Sequence, residues 1–117
     1  MNLDDLYTVD DHDNGAEMQV ENQVGKKVDM YLTVVGIDSK KWQNLKSKAK
    51  RVISDDTTVE EAAKILSDAI IGWRNVEHKG KELKFTRENA ERLLVNAPYV
   101  IGQVIRFIIN RENFMKG

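Results

Sequence analysis

A small α+β domain, mainly α-helical, is the fold class this sequence predicts, and three observations carry the prediction. Between Ala16 and Val35, apolar and polar residues alternate on either side of a glycine-containing turn, the pattern of a β-hairpin. From Ser39 to Ile109 the apolar spacing changes to threes and fours in successive blocks, the pattern of amphipathic helices. A chain of 117 residues has room for one ordinary hydrophobic core. The expectation is a single domain over residues 16–117, with an N-terminal hairpin and four helices at about 39–53, 58–71, 87–96 and 98–111.

Residues 1–15 stand apart from that domain. They hold Asp4, Asp5, Asp10, Asp11 and Asp13, with only Leu3, Leu6 and Tyr7 as apolar anchors, so a loose acidic segment is expected. Asp10 to Glu21 nearly fits a calcium-binding loop, since Asp10, Asn14, Gly15 and Glu21 fall in place. His12 at the third position is a poor calcium ligand and Glu17 stands where an apolar residue is expected. No amphipathic helix precedes the segment, and an acidic tail leading into a strand is the better reading.

In the hairpin, Met18 and Val20 alternate with polar neighbours, and Asn22 to Lys27 turn around Gly25. Val28, Met30, Leu32 and Val34 then point to the side opposite Tyr31, Thr33 and Val35. The sheet would cover one side of a helical core, with an edge open to a partner strand as the functional alternative. Gly36 stops the strand, and Asp38 or Ser39 caps a helix carrying Trp42, Leu45, Ala49, Val52 and Ile53. Thr57 with Glu60, or Thr58 with Glu61, forms a capping box. Behind it Val59, Ala62, Ala63, Leu66, Ala69 and Ile70 make an apolar stripe, with Gly72 as its stop and Trp73 folding back into the core. The Glu77–Lys81 segment turns at Gly80, and Leu83 and Phe85 suit a short extended arm. Thr86 caps a helix bearing Ala90, Leu93 and Leu94, and Pro98 ends it while starting the next. That last helix carries Val100, Ile101, Val104, Ile105, Phe107, Ile108 and Ile109. A helix apolar on two sides must bury both, within its own domain or against a partner.

Composition narrows the function classes. The formal net charge is −1 and the pI about 6.1, so no global field draws the chain to nucleic acid or anionic lipid. The basic helix surface from Lys40 to Arg51 invites a nucleic-acid reading, but lysines on a solvated face, or facing an acidic partner, explain it as well. There is no cysteine, hence no disulfide or thiolate metal site. The acidic start of the sequence does not resemble a signal peptide, and an intracellular, soluble, non-membrane protein is expected. His12 and His78 are the only histidines and both are expected in solvent. With no nucleophile–base motif, metal-ligand spacing or phosphate-cradling loop, the expectation is a non-enzymatic protein without cofactor or metal.

A further ordered series runs through the second half of the chain: Trp73-x-x-Val76, Gly80-Lys81, Leu83-x-Phe85, Glu88-Asn89-Ala90, Leu93-Leu94, Pro98, Gln103-Val104 and Asn113-Phe114. With an echo at Gly36-x-Asp38-Ser39, it resembles the tail assembly chaperones of long-tailed bacteriophages and prophages. The resemblance spans about a third of the chain, in packing and capping residues rather than a chemical signature. It implies a chaperone of virion morphogenesis in the bacterial cytoplasm that binds the helical tape measure protein and brings tail tube protein to it. Such a chaperone leaves before the mature virion is finished, and in the family a programmed frameshift often makes a longer form. A tape measure exposes long apolar stripes, so an apolar groove is expected between Ala90–Val95 and Val100–Ile109, lined by Leu94, Val104, Phe107, Ile108 and Phe114. The rival classes are a small structural tail or connector protein and a nucleic-acid-binding regulator using Lys40–Arg51.

Overall fold

The alternation around Gly25 folds as a tight antiparallel pair, β1 (Ala16–Glu21) and β2 (Lys27–Val34), in the computed structural model, which describes residues 1–115. Asn22 Oδ1 accepts from the amides of Val24 and Lys26, and Gly25 takes a positive φ of 82° that a side chain would disfavour. Met18, Val20, Leu32 and Val34 point inward and are buried. The register, Met18 opposite Leu32 and Ala16 opposite Val34, keeps one face apolar.

The helices follow. Residues α2 (Lys40–Ile53), α3 (Val59–Ser67), α4 (Arg87–Asn96) and α5 (Tyr99–Ile109) form the other layer, with a shorter α1 (Val9–Asn14) before the sheet. Their starts are set by side chains that satisfy otherwise free amides: Ser39 Oγ accepts from Trp42, Thr58 Oγ1 from Glu61, and Thr86 Oγ1 from Asn89. Pro98 stands at the N-cap of α5, and the chain bends by 118° between α4 and α5. No single helix among the described residues is long and apolar enough to cross a membrane. Trp42, Leu45, Ala49 and Val52 of α2, Ala62, Ala63 and Leu66 of α3, and Val100, Val104 and Ile108 of α5 meet the inner sheet face in one core. The α+β class is as expected, as are α2, α4 and α5 to within about two residues at each end.

Three parts of the chain differ. The helix expected to reach residue 71 stops at Ser67, and Ile70–Arg74 form a third strand, β3, pairing antiparallel with β2. Ser67 Oγ donates to the Lys64 carbonyl, and the Asp68 and Ala69 amides reach back to Ile65 and Leu66, so the helix tightens and ends. Gly72 is therefore a strand residue opposite Thr33 rather than a helix stop. Trp73 pairs opposite Leu32, half-buried, its indole N–H donating to the Leu83 carbonyl. The expected arm is a minimal hairpin, β4 (Glu77–His78) with β5 (Lys81–Glu82); Lys79 and Gly80 both take positive φ, the backbone of a two-residue hairpin turn.

The third difference lies at the N-terminus. Leu3, Leu6 and Tyr7 are largely exposed, with Leu6 and Tyr7 bordering a hollow beside Phe114, whereas α1 is docked through His12, which is only 2% exposed rather than in solvent as expected. Its ring lies 4.7 Å from that of Phe114, in the 3-10 turn Arg111–Phe114. The Gly36 amide donates to the His12 carbonyl, and the ring fills the space a Cβ on Gly36 would need. With residues 10–14 helical and 16–21 in a strand, the calcium-loop pattern is not folded as a loop.

That fit makes Gly36→Ala costly, by about 1–3 kcal/mol for forced overpacking. In a His12→Ala background the added methyl has room, so the two costs do not add. Urea midpoints of the wild type, both single variants and the double variant measure this. An equal Gly36→Ala cost in both backgrounds would show that the ring is not what excludes the methyl.

Candidate functional site

A cluster of charged and polar side chains lies where segments near both ends of the described residues meet the start of α2. Asp38, just before that helix, accepts from Thr8 Oγ1 at 2.7 Å through Oδ2 and from Arg111 at 2.8 and 2.9 Å through both oxygens. The Asp38 amide donates to His12 Nδ1 at 2.9 Å. That bond leaves Nε2 to carry the ring proton, 3.8 Å from the same carboxylate. The Arg111 guanidinium, with help from Thr8 and His12, holds the Asp38 carboxyl well below the usual carboxylate range despite its partial burial.

A His, an Asp and a Thr together suggest acyl-transfer chemistry, but their bonds run the wrong way. The Thr8 hydroxyl donates to the carboxylate, not to the imidazole, and the imidazole lone pair is taken by a backbone amide. The arrangement joins three segments of chain: a turn before α1, the start of α2 and the turn after α5. His78, the other histidine, is exposed on the β4–β5 hairpin. Among the described residues no group of three or more His, Asp or Glu is placed to hold a metal ion.

The five residues expected to line a groove are not gathered at a surface. Leu94, Val104 and Ile108 are fully buried and Phe114 is 5% exposed, all within the core. Phe107 is half-buried, edge-on to Phe114 at 5.6 Å, and borders a hollow with Met18, Gln19, Gln103 and Arg106. The reason is the helix period: Val100, Val104 and Ile108 recur every fourth residue and form the row that faces the core.

The second apolar row of α5 does reach the surface. Ile101 and Ile105, half-buried, line a hollow of about 350 Å³ with Val52 and Ile53 from α2 and Val59 and Ala62 from α3. Ile53 is 54% exposed, Val59 40%, and Ile109, one turn past Ile105, 47%. Gly102 widens the hollow and leaves room for Arg106, whose guanidinium folds back over it. Exposed apolar side chains scattered singly are ordinary, but several around one concave site mark a surface that a partner can cover. The expectation that α5 is apolar on two sides includes this row; of the five residues expected to line a groove, Val104 and Ile108 belong to the buried row of α5, Leu94 to α4 and Phe114 to the turn after α5, while Phe107 is half-buried outside both rows.

Two other surfaces are less open. The amide of Gln103 accepts from the Glu21 N–H and donates to its carbonyl, occupying the end of the β1 edge where a partner strand would begin. On the outer sheet face Arg74 forks onto Glu17 and stacks 3.8 Å over the Tyr31 ring. Comparison of the chain with protein-family models, curated proteins and solved structures finds no match.

The Asp38 cluster predicts a pH dependence. A carboxyl with a lower pKa in the folded chain binds its proton more weakly there than when unfolded. Its stabilisation is therefore fully present above the ordinary carboxylate pKa and is lost as acid protonates it, below about pH 4. Asp38→Asn should cost about 1–3 kcal/mol at neutral pH, from lost charge-assisted hydrogen bonds. The gap in urea midpoint between the two proteins should narrow as pH falls below about 4. A gap independent of pH would remove the carboxylate's charge from the explanation.

Proposed function

We propose that the protein is a non-enzymatic tail assembly chaperone of a long-tailed bacteriophage or prophage. In this reading it binds the tape measure protein in the host cytoplasm, keeps it soluble while tail tube protein is brought to it, and leaves before the virion matures. The ordered residue series from Trp73 to Phe114 supports the reading by resemblance. The observation that carries it is the apolar hollow between α2, α3 and α5, with exposed or half-exposed Ile53, Val59, Ile101 and Ile105 around it. A long helical protein with apolar stripes, waiting to assemble, needs a cover of this kind. A partner helix laid across the hollow would shield those four side chains together with its own apolar face.

Leu94, Val104, Ile108 and Phe114 serve this function by holding α4 and α5 in place, while the surface-reaching row takes the role of the groove. Removing water from several aliphatic side chains on each partner contributes about 25 cal/mol per Å² of apolar area, with one or two central residues dominating.

The test is co-expression with the tape measure protein of the same genome, followed by solubility measurement and pull-down. The tape measure should become soluble and co-purify, and Ile53→Asp and Ile105→Asp should weaken capture by about tenfold or more. Circular dichroism checks that each variant keeps its fold; Ile53 is exposed enough that its substitution should cost little stability. A well-folded wild type that leaves the tape measure insoluble and unbound would end the chaperone reading. Recovery of the protein from finished virions would point to a structural component instead.

A further inference from the structure

Asp55 lines the apolar hollow, and beside it helix α2 carries charge of the opposite sign only. Helix α2 contains Lys40, Lys41, Lys46, Lys48, Lys50 and Arg51 and no acidic residue, in a chain whose formal net charge is −1. Only Arg51 of these is in an ion pair, with Glu61 at 3.3 Å; among the described residues none of the five lysine ammonium groups has a carboxylate partner. On α5 Arg106 is exposed, its guanidinium over Gly102 of that lining and its side chain also bordering the hollow beside Phe107; among the described residues it likewise has no acidic partner. Isolated lysines on a helix are commonplace. Here their position relative to the hollow gives them a direction.

Lys41 borders a separate hollow with Ser67, Asp68 and Ile70, which identifies one flank of α2 as the side toward α3 and β3. The other flank carries Lys46, Lys50 and Ile53, spaced by four and three residues and so aligned along one helix stripe. Ile53 ends that stripe inside the apolar hollow, beside Ile101 and Ile105. The two helices run in opposite directions: the end of α2 meets the start of α5 at the hollow, while the Ile37 amide before α2 donates to the Ile108 carbonyl near the end of α5. Lys50 and Lys46 therefore continue the α2 stripe away from the hollow, Arg106 lies over Gly102 on its α5 side, and together they frame a trough that is apolar at the hollow and holds Asp55 at the α2 end.

We propose that this trough recognises an acidic amphipathic helix: a partner segment with an aliphatic stripe for Ile53, Ile101 and Ile105 and with Glu or Asp flanking that stripe to meet Lys46, Lys50 and Arg106. The inference deepens the chaperone reading by naming the chemistry of the segment bound, and it rests on that reading only for the partner's identity. Nucleic acid fits the same lysines less well. Its phosphates gain nothing from an aliphatic floor, and Asp55 at the mouth of the hollow would repel them. An acidic helix can place its charges toward Lys46 and Lys50 and leave the Asp55 end neutral. Two or three exposed ion pairs steer association and select the partner's sign, while the apolar contact supplies most of the affinity.

Three labelled synthetic helical peptides of identical aliphatic stripe, flanked by Glu, by Gln or by Lys, test this by fluorescence anisotropy against the full chain. The Glu peptide should bind about tenfold tighter than the Gln peptide at low salt, and the Lys peptide more weakly than either. Lys46→Glu/Lys50→Glu should invert that order, and Ile53→Asp should weaken all three; the lysine sites are exposed, so the fold is kept. Equal binding of the three peptides, or an order unchanged by the double charge reversal, would overturn the proposal. So would a labelled single- or double-stranded DNA that binds with Lys46 and Lys50 dependence while the Glu peptide does not. If the peptides behave as stated but the tape measure protein is not captured, the chaperone reading fails and the acidic-helix site stands. If the tape measure is captured equally well by the double charge reversal, the site fails and the chaperone reading stands.

Discussion

The structure depends on how the Asp38 carboxylate is used. Its two oxygens gather a hydroxyl from before α1 and a guanidinium from after α5, while its own amide fixes the His12 ring. Both ends of the described chain are thereby tied to the first residues of α2. Hydrogen bonds to a charged acceptor are the strong ones, and leaving such a carboxylate without its donors would be costly. Once Asp38 is in place, Ser39 caps α2 and the Ile37 amide reaches Ile108, so α5 lies against the sheet with its Val100–Val104–Ile108 row inward.

From that placement the surface follows. A helix has one face toward its core, and α5 carries two aliphatic rows that share no common face. With Val100, Val104 and Ile108 committed inward, Ile101, Ile105 and Ile109 must lie on the flank. The α3 helix covers part of that flank through Ala62 and Val59, but the gap toward α2 is left open. Lys46 and Lys50 continue the α2 stripe that ends at Ile53 in that gap, while Asp55 lines the gap itself. The same logic explains the quieter regions. Gln103 pairs with Glu21 at the end of the β1 edge, and Glu17 and Arg74 bridge across the outer sheet face.

Local chemistry was readable in the sequence, and long-range chemistry was not. Ser39, Thr58, Thr86, Pro98 and Gly25 act within a few residues of themselves, and each stands where its side chain or backbone freedom predicted. Strand β3 was hidden because Ala69 and Ile70 continue the helical spacing of α3; only the free edge of β2 and the tightening at Ser67 turn those residues into a strand. The run Ile70-Ile71-Gly72-Trp73, β-branched and aromatic, was the local signal for it. His12 and Phe114 lie about a hundred residues apart in sequence, and nothing near either one announces that their rings stack. For the candidate site, the sequence held both rows of α5 but not which faced inward. That choice is made by Asp38, Ile37 and β1, outside the helix itself.

A buried row and a surface row on one helix also constrain how partner binding can act on the domain. The two rows share the α5 backbone, with Ile105 adjoining Val104 and Ile101 adjoining Val100. A helix pressed onto the surface row would bear on the same turns that seat the core row and, through Ile108, the Ile37 amide and Asp38. Binding in the trough and closure of the chain ends are then contiguous through packed side chains rather than separate properties. Any coupling between them is reciprocal in free energy: a partner that favours the closed arrangement is favoured by it to the same extent. An acidic helix would approach Lys46 and Lys50 without touching Arg111, so the charge that attracts the partner is kept apart from the charge that holds the fold. The trough can therefore change its charge without loosening the clasp.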